Sequence, residues 1–264
     1  MRKSLQIFSQ LITLGKYKEA QEVLTKHRED LERYFDENHP AMFSWANNQA
    51  LLHKLNGEFL IAKEMFAKVN EAYTQLYGEN HPSTINTLIN LATIHKDLHE
   101  YELSIPLYEK AIAGRRILEG ESSLNYGMAL AMASGSYREL GRFDQADKYL
   151  KEAFIIIATL HGEESVAAAV ILNSMGMLYK KQKKFERAID AYERALKIRE
   201  TQMGADHPDT IASRHNIAEL YIEWVKPDQA REYLEKNIEV MAKMGEKEKQ
   251  VARENIKKNE TSYL

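Results

Sequence analysis

Nine histidines, 36 lysines and arginines, and 39 aspartates and glutamates supply the reactive groups of this 264-residue sequence, which has no cysteine. Without thiols there can be no disulfide, no thiolate zinc site and no cysteine nucleophile. A metal centre would need three or four converging His, Asp or Glu ligands. His39, His81 and His207 each precede a proline, one to each repeated unit described below, and the rise from unit to unit is expected to hold neighbours too far apart to share an ion. His53 and His95 lie among apolar residues at helical spacing, where a packed core is the expectation. GxSxG, a phosphate-binding glycine loop and HExxH are all missing. Glu163-Glu164 and Glu29-Asp30 read as surface acids near helix ends rather than a buried carboxylate pair. The expectation is therefore no catalytic residue, no metal and no cofactor.

The formal net charge is −3, which sets aside a polybasic nucleic-acid binder whose affinity would come from neutralising phosphates. No run of about 18 apolar residues occurs, so no membrane span is expected. Gln6, Ser9, Gln10 and Lys16 interrupt the first apolar residues, which then lack the core of an export signal. A cytoplasmic location follows as the default.

The elements that must position the remaining polar residues are set by a repeat of 42 residues. An aromatic followed three places later by a small residue recurs at Tyr17/Ala20, Phe59/Ala62, Tyr101/Ser104, Phe143/Ala146 and Phe185/Ala188, and Pro227/Ala230 keeps the register without the aromatic. Gly78, Gly120, Gly162 and Gly204 form a second ladder of the same period. His39-Pro40, His81-Pro82 and His207-Pro208 form a third, with Ser123-Leu124 and Ser165-Val166 in the slots between. Apolar residues at helical spacing lie on both sides of the aromatic, as in Leu172, Met175, Gly176 and Tyr179, then Ala188, Tyr192 and Ala195. Each unit reads as two antiparallel helices, A and B. Gly15, Gly57 and Gly141 mark the turn between them, and the later glycines suit a left-handed end to helix B. Proline suits the first turn of the next helix A, where its missing N–H costs nothing. Small residues such as Ala62 and Ser104 allow B to approach A closely. Residues 1–245 are thus expected to hold six repeats. Residues 246–264, with Ile256 and Tyr263, are expected to form a capping helix or partial seventh repeat that closes the apolar stack.

The pattern of Gly176, Tyr179, Ala188, Tyr192 and Ala195 resembles the tetratricopeptide repeat, and the linker GADHPDT at 204–210 resembles its kinesin-light-chain type. The resemblance runs over nearly the whole chain. It implies an all-α, right-handed superhelical solenoid whose A helices line a concave groove. Carried over onto this sequence, it places Asn47, Asn48, Asn90, Asn173, His215 and Asn216 toward that groove, with Asn86 and Thr93 beside them. A carboxamide both donates and accepts, so an asparagine can pair with a peptide backbone. Lys54, Lys96, Arg138 and Lys180 would form a basic row that favours acidic ligands. Met128, Met132 and Met177 would make an adaptable floor for one apolar side chain. The function this implies is a non-catalytic scaffold or adaptor that binds an extended, acidic segment of a protein partner. It would act without nucleic acid or membrane, as a monomer or as a subunit of a hetero-complex. The alternative is a structural subunit of a large multiprotein assembly, buried through its convex face and edges.

Overall fold

A computed structural model describes residues 2–261, with side chains from 4 to 245. Twelve α-helices make up the described residues. They run as six A–B pairs: α1 (Arg2–Thr13) with α2 (Tyr17–Glu32), α3 (Pro40–Leu55) with α4 (Phe59–Tyr77), and α5 (Pro82–Asp97) with α6 (Tyr101–Glu119). Then follow α7 (Leu124–Glu139) with α8 (Phe143–His161), α9 (Val166–Lys181) with α10 (Phe185–Met203), and α11 (Pro208–Glu223) with α12 (Pro227–Thr261). Residues 1–149 and 150–264 form two compact units. Stretch 246–261 continues α12 without a break, so it does not begin a separate helix. Its side chains, and Tyr263, lie outside the described residues.

Within each unit a helix packs on its repeat partner and on the next helix in sequence, as α3, α4 and α5 do. The small residues do what their size allows. Ala20, Ala62, Ser104, Ala146 and Ala188 have no exposed surface, and large side chains close around them, as Phe66 does beside Ala50, Ala62 and Ile94. In the first unit α3 also touches α5, and α5 touches α7. This A-to-A contact makes the A side the inner side of the stack in that unit.

The A–B turn needs one residue at positive φ. Gly15, Gly57 and Gly141 supply it, but His99, Lys183 and Val225 occupy the same slot at φ 61°, 60° and 59°. A β-branched residue is the poorest fit there, since its Cβ crowds the backbone carbonyl. Val225 is 85% exposed and loses no packing if removed. Val225→Gly should raise stability by about 1 kcal/mol; an unchanged or lower urea midpoint would refute this.

The linker corrects one expectation. Gly78, Gly120 and Gly204 have φ of 85°, 81° and 93°, but ψ near 168°, 165° and 165°. That lies beyond the left-handed helical well, in a region open only to glycine. From there two turn residues, such as Glu79 and Asn80, lead to an extended capping residue whose N–H returns to the glycine carbonyl, as His81 does to Gly78 at 3.4 Å. The caps are His39, His81 and His207, whose Nδ1 accepts from the N–H groups of Ala41, Ser83 and Asp209 at 3.2, 3.2 and 3.1 Å. Ser123 and Ser165 cap the intervening helices through Oγ, each at 3.2 Å. The linker histidines therefore serve as helix caps.

Candidate functional site

The polar residues of the A helices meet across successive repeats, one step out of register. Asn90 donates from Nδ2 to Asn47 Oδ1 at 3.4 Å, and Asn216 donates to Asn173 Oδ1 at 2.9 Å. Both pairs join residues 43 apart. The carboxamides thus pair with one another, each keeping unused donor or acceptor capacity toward a ligand. Asn48 is half-buried on the same helix as Asn47.

The cations are paired in the same way. Lys54 reaches Asp97 at 3.6 Å, Lys96 reaches it at 3.9 Å, and Arg138 holds Glu139 through Nε and Nη2 at 3.0 and 2.7 Å. Three cations therefore face two carboxylates in the first unit. Burial holds the Lys96 ammonium below the usual lysine range; Asp97 opposes that, while Lys54 and Arg138 add to it. The three cations are close enough to feel one another. The Lys96 stem passes Gly135, where an added Cβ would stand 3.5 Å from it in ordinary contact. In the second unit the balance changes: Lys180 lies 3.2 Å from Glu219 and 3.8 Å from Glu223. His215 adds an Nε2 contact to Glu219 at 3.2 Å. Any preference of the basic row for acidic ligands thus falls on Lys54, Lys96 and Arg138.

Two expected groove residues are otherwise engaged. Thr93 is buried, its hydroxyl 2.8 Å from the Ile89 carbonyl and 3.0 Å from Tyr108 Oη, so it belongs to the seam between α5 and α6. One position along a helix rotates a side chain by about 100°, enough to carry it from groove to core. Asn86 is exposed, with its Oδ1 accepting from Arg115 Nη2. Met128 and Met132 are half-buried on α7. Met177, on α9 in the other unit, is more open, and its Sδ lies 3.7 Å from Asn173 Nδ2. His53 and His95 are not simple core: Nδ1 of each meets a carboxylate, Glu58 and Glu100 respectively, the second at 2.5 Å. The bond from Lys63 first, then that from His95, holds Glu100 below the usual carboxylate range.

Sequence reasoning missed the clefts on the other side of the helices. One, of about 310 Å³, lies between α2, α3 and α4 and includes Trp45, Met65 and Lys68. Another, of about 380 Å³, lies between α8, α9 and α10 and includes Leu172, Met175, Tyr179 and Ala191. Met65 and Ala191 are three repeats apart in the same register. That slot could have been found by comparing repeats, since it holds Tyr149 and Tyr233 elsewhere.

Paired helices in a 42-residue period, with a buried small residue at each A–B contact, define a helical-repeat protein. The profile of the tetratricopeptide repeat matches residues 42–117, 125–201 and 169–243, and the chain belongs to that family of repeat-built interaction scaffolds. Solved structures agree on the fold. BtubC (BKLC) from P. vanneervenii is 21% identical, with a TM-score of 0.67 over 85% of this chain and 90% of that one. TPR-like repeats of a kinesin light chain from Podosopora anserina are 19% identical, with a TM-score of 0.62 over 78% and 98%. NprR, a quorum sensor from B. thuringiensis, matches in its complex with the cognate peptide NprX at 19% identity. The TM-score there is 0.69, over 90% of this chain and 65% of NprR. At these identities the likeness speaks for the fold alone. No curated protein sequence matches. Among the described residues no helix is long and apolar enough to cross a membrane.

Proposed function

We propose that this chain is a non-catalytic adaptor whose A-helix face in residues 1–149 holds an extended, acidic segment of a partner protein. One observation carries the reading: Lys54, Lys96 and Arg138 stand on three successive A helices and share the two carboxylates of Asp97 and Glu139. A ligand carboxylate would relieve the cation crowding at Lys96, which burial already disfavours. The Asn47–Asn90 pair and Asn48 would hold the ligand's backbone, and Met128 and Met132 would take an apolar side chain. In residues 150–264 the Asn173–Asn216 pair could play the same backbone role, without the acidic preference. Peptide capture by NprR, a protein of the same fold, supports the reading by analogy.

The test is affinity capture from the source cells with the native chain and with Lys54→Gln/Lys96→Gln/Arg138→Gln. The triple variant should lose its groove partners and bind the recovered peptide at least about tenfold more weakly at low salt, with the gap narrowing at high salt. An unchanged partner set and affinity would overturn the proposal. A second reading, a structural subunit of a larger assembly, draws on the open clefts between B helices. It would show as fixed-stoichiometry co-purification that ignores the triple substitution.

A further inference from the structure

Each helix B ends on an apolar residue that the stack does not use. Tyr34, Leu76 and Leu118 hold one position in three successive repeats of residues 1–149, at or just past the end of α2, α4 and α6. In residues 150–264 Leu160 holds the same position on α8, and Gln202 ends the series. The four apolar members are 41–76% exposed. The core of these repeats is filled from a different position of helix B, by Leu24, Phe66, Tyr108 and Leu150. One leucine on a surface is ordinary, but the same bare apolar position in one repeat after another forms a row.

A second series accompanies the first. Three residues after each apolar member stands an exposed glutamate: Glu37, Glu79, Glu121 and, in the second unit, Glu163. Where leucine gives way to Gln202, glutamate gives way to Ala205, so the two series run together and stop together. No described cation pairs with Glu37 or Glu79, and Glu121 lies 3.6 Å from an equally open Arg116. Arg33, the other cation beside the row, lies 3.6 Å from Asp30. The backbone adds to the negative side. The last carbonyls of a helix carry partial negative charge, which a basic residue in the last turn offsets, and α4 has none there.

We infer that this row in residues 1–149 binds a basic amphipathic helix of a partner protein, with an apolar residue at every seventh position and lysine or arginine beside it. Packed helices lie about 8–10 Å apart, so rungs on successive helices B are on the order of 10 Å apart. Seven helical residues rise about 10.5 Å, so two turns of the guest span one repeat. Its apolar residues meet Tyr34, Leu76 and Leu118 in turn, and its cations meet Glu37, Glu79 and Glu121. Burial of the bare side chains drives association. The carboxylates select the guest, because an acidic helix would meet a like charge at each rung. The preference is opposite to that of the A-helix face and uses none of its residues, so the two readings fail separately.

The probe is a fluorescein-labelled synthetic helix of about 21 residues, with leucine at every seventh position, lysine on both sides of each leucine and alanine elsewhere. It is titrated into the full chain and followed by anisotropy. A Kd on the order of 10–100 μM is expected at low salt, weakening as salt rises. The same peptide with glutamate in place of lysine should bind at least about tenfold more weakly. Leu76→Ser/Leu118→Ser and Glu37→Gln/Glu79→Gln/Glu121→Gln should each weaken the lysine peptide at least about fivefold, and the second should also flatten its salt dependence. Lys54→Gln/Lys96→Gln/Arg138→Gln should bind it as the native chain does; loss there would place the peptide on the A-helix face and overturn the inference. Equal binding of the two peptides, or binding that survives Leu76→Ser/Leu118→Ser, would also overturn it. So would a native dimer in sedimentation velocity that Leu76→Ser/Leu118→Ser dissolves, since the row would then belong to a second copy.

Discussion

Gly176→Ala destabilises residues 150–264 by about 2 kcal/mol, even though alanine is the better helix former. A Cβ at this position would stand 2.5, 2.6 and 2.9 Å from Cδ1, Cε1 and Cγ of Tyr192. Those atoms are the near edge of a rigid ring, not the tip of a flexible chain. Tyr192 is itself 2% exposed and packs with Ala188, Leu196, Ile217 and Leu220, so it has no open side to move toward. The gain in helix propensity, about 1 kcal/mol, is smaller than the overlap cost. Fluorescence of Trp224 in a Trp45→Phe background isolates this unit, since each unit has one of the two tryptophans. A drop of roughly 4–8 °C in its midpoint is expected. Tyr192→Leu should recover part of the loss when combined with Gly176→Ala, giving a coupling of about 1 kcal/mol. Strictly additive effects would show that the ring contact is not the cause.

Arg214→Met should have an effect of similar or greater size, about 2–3 kcal/mol, through polar rather than steric loss. The Arg214 side chain is 3% exposed and joins three segments. It donates to Glu200 Oε1 at 2.7 and 3.2 Å on α10, to the Ala205 carbonyl at 3.0 Å in the linker, and to Asn237 Oδ1 at 3.4 Å on α12. Methionine fills similar space but leaves buried acceptors unpaired. Glu200→Gln should cost less than about 1 kcal/mol, because that carboxylate is 43% exposed and water can replace the partner. Arg214→Lys should behave like methionine rather than like the parent, since an ammonium cannot span the same fork. If Glu200→Gln proves the more damaging of the two, the role of Arg214 as the tie between α10, the linker and α12 is wrong.

The groove reading rests on smaller energies. Lys54, Lys96 and Arg138 are partly open and screened, so removing one changes a binding constant more than it changes stability. The residues that hold the stack together and those that can hold a ligand are therefore separable by mutation.

Much of this architecture could be read in the residues. The period, the two helices per unit, the buried small residue and the glycine at four of the five linkers are local requirements, stated again from repeat to repeat. Six copies of one steric rule, from Ala20 to Ala230, leave little freedom. Even so, the turn slot shows the limit: Gly15, Gly57 and Gly141 announce it, while His99, Lys183 and Val225 hide it behind side chains that the fold forces to positive φ. What only the tertiary structure decided is which polar groups meet. Asn47 finds Asn90 rather than Ile89, its counterpart one repeat on, and Asn173 likewise finds Asn216 rather than His215. The same packing takes Thr93 into the core and buries Arg115, Arg199 and Arg214. A periodic sequence fixes where each Cα falls along its helix; the partners of a side chain depend on the distance and rotation between helices, which no single repeat contains.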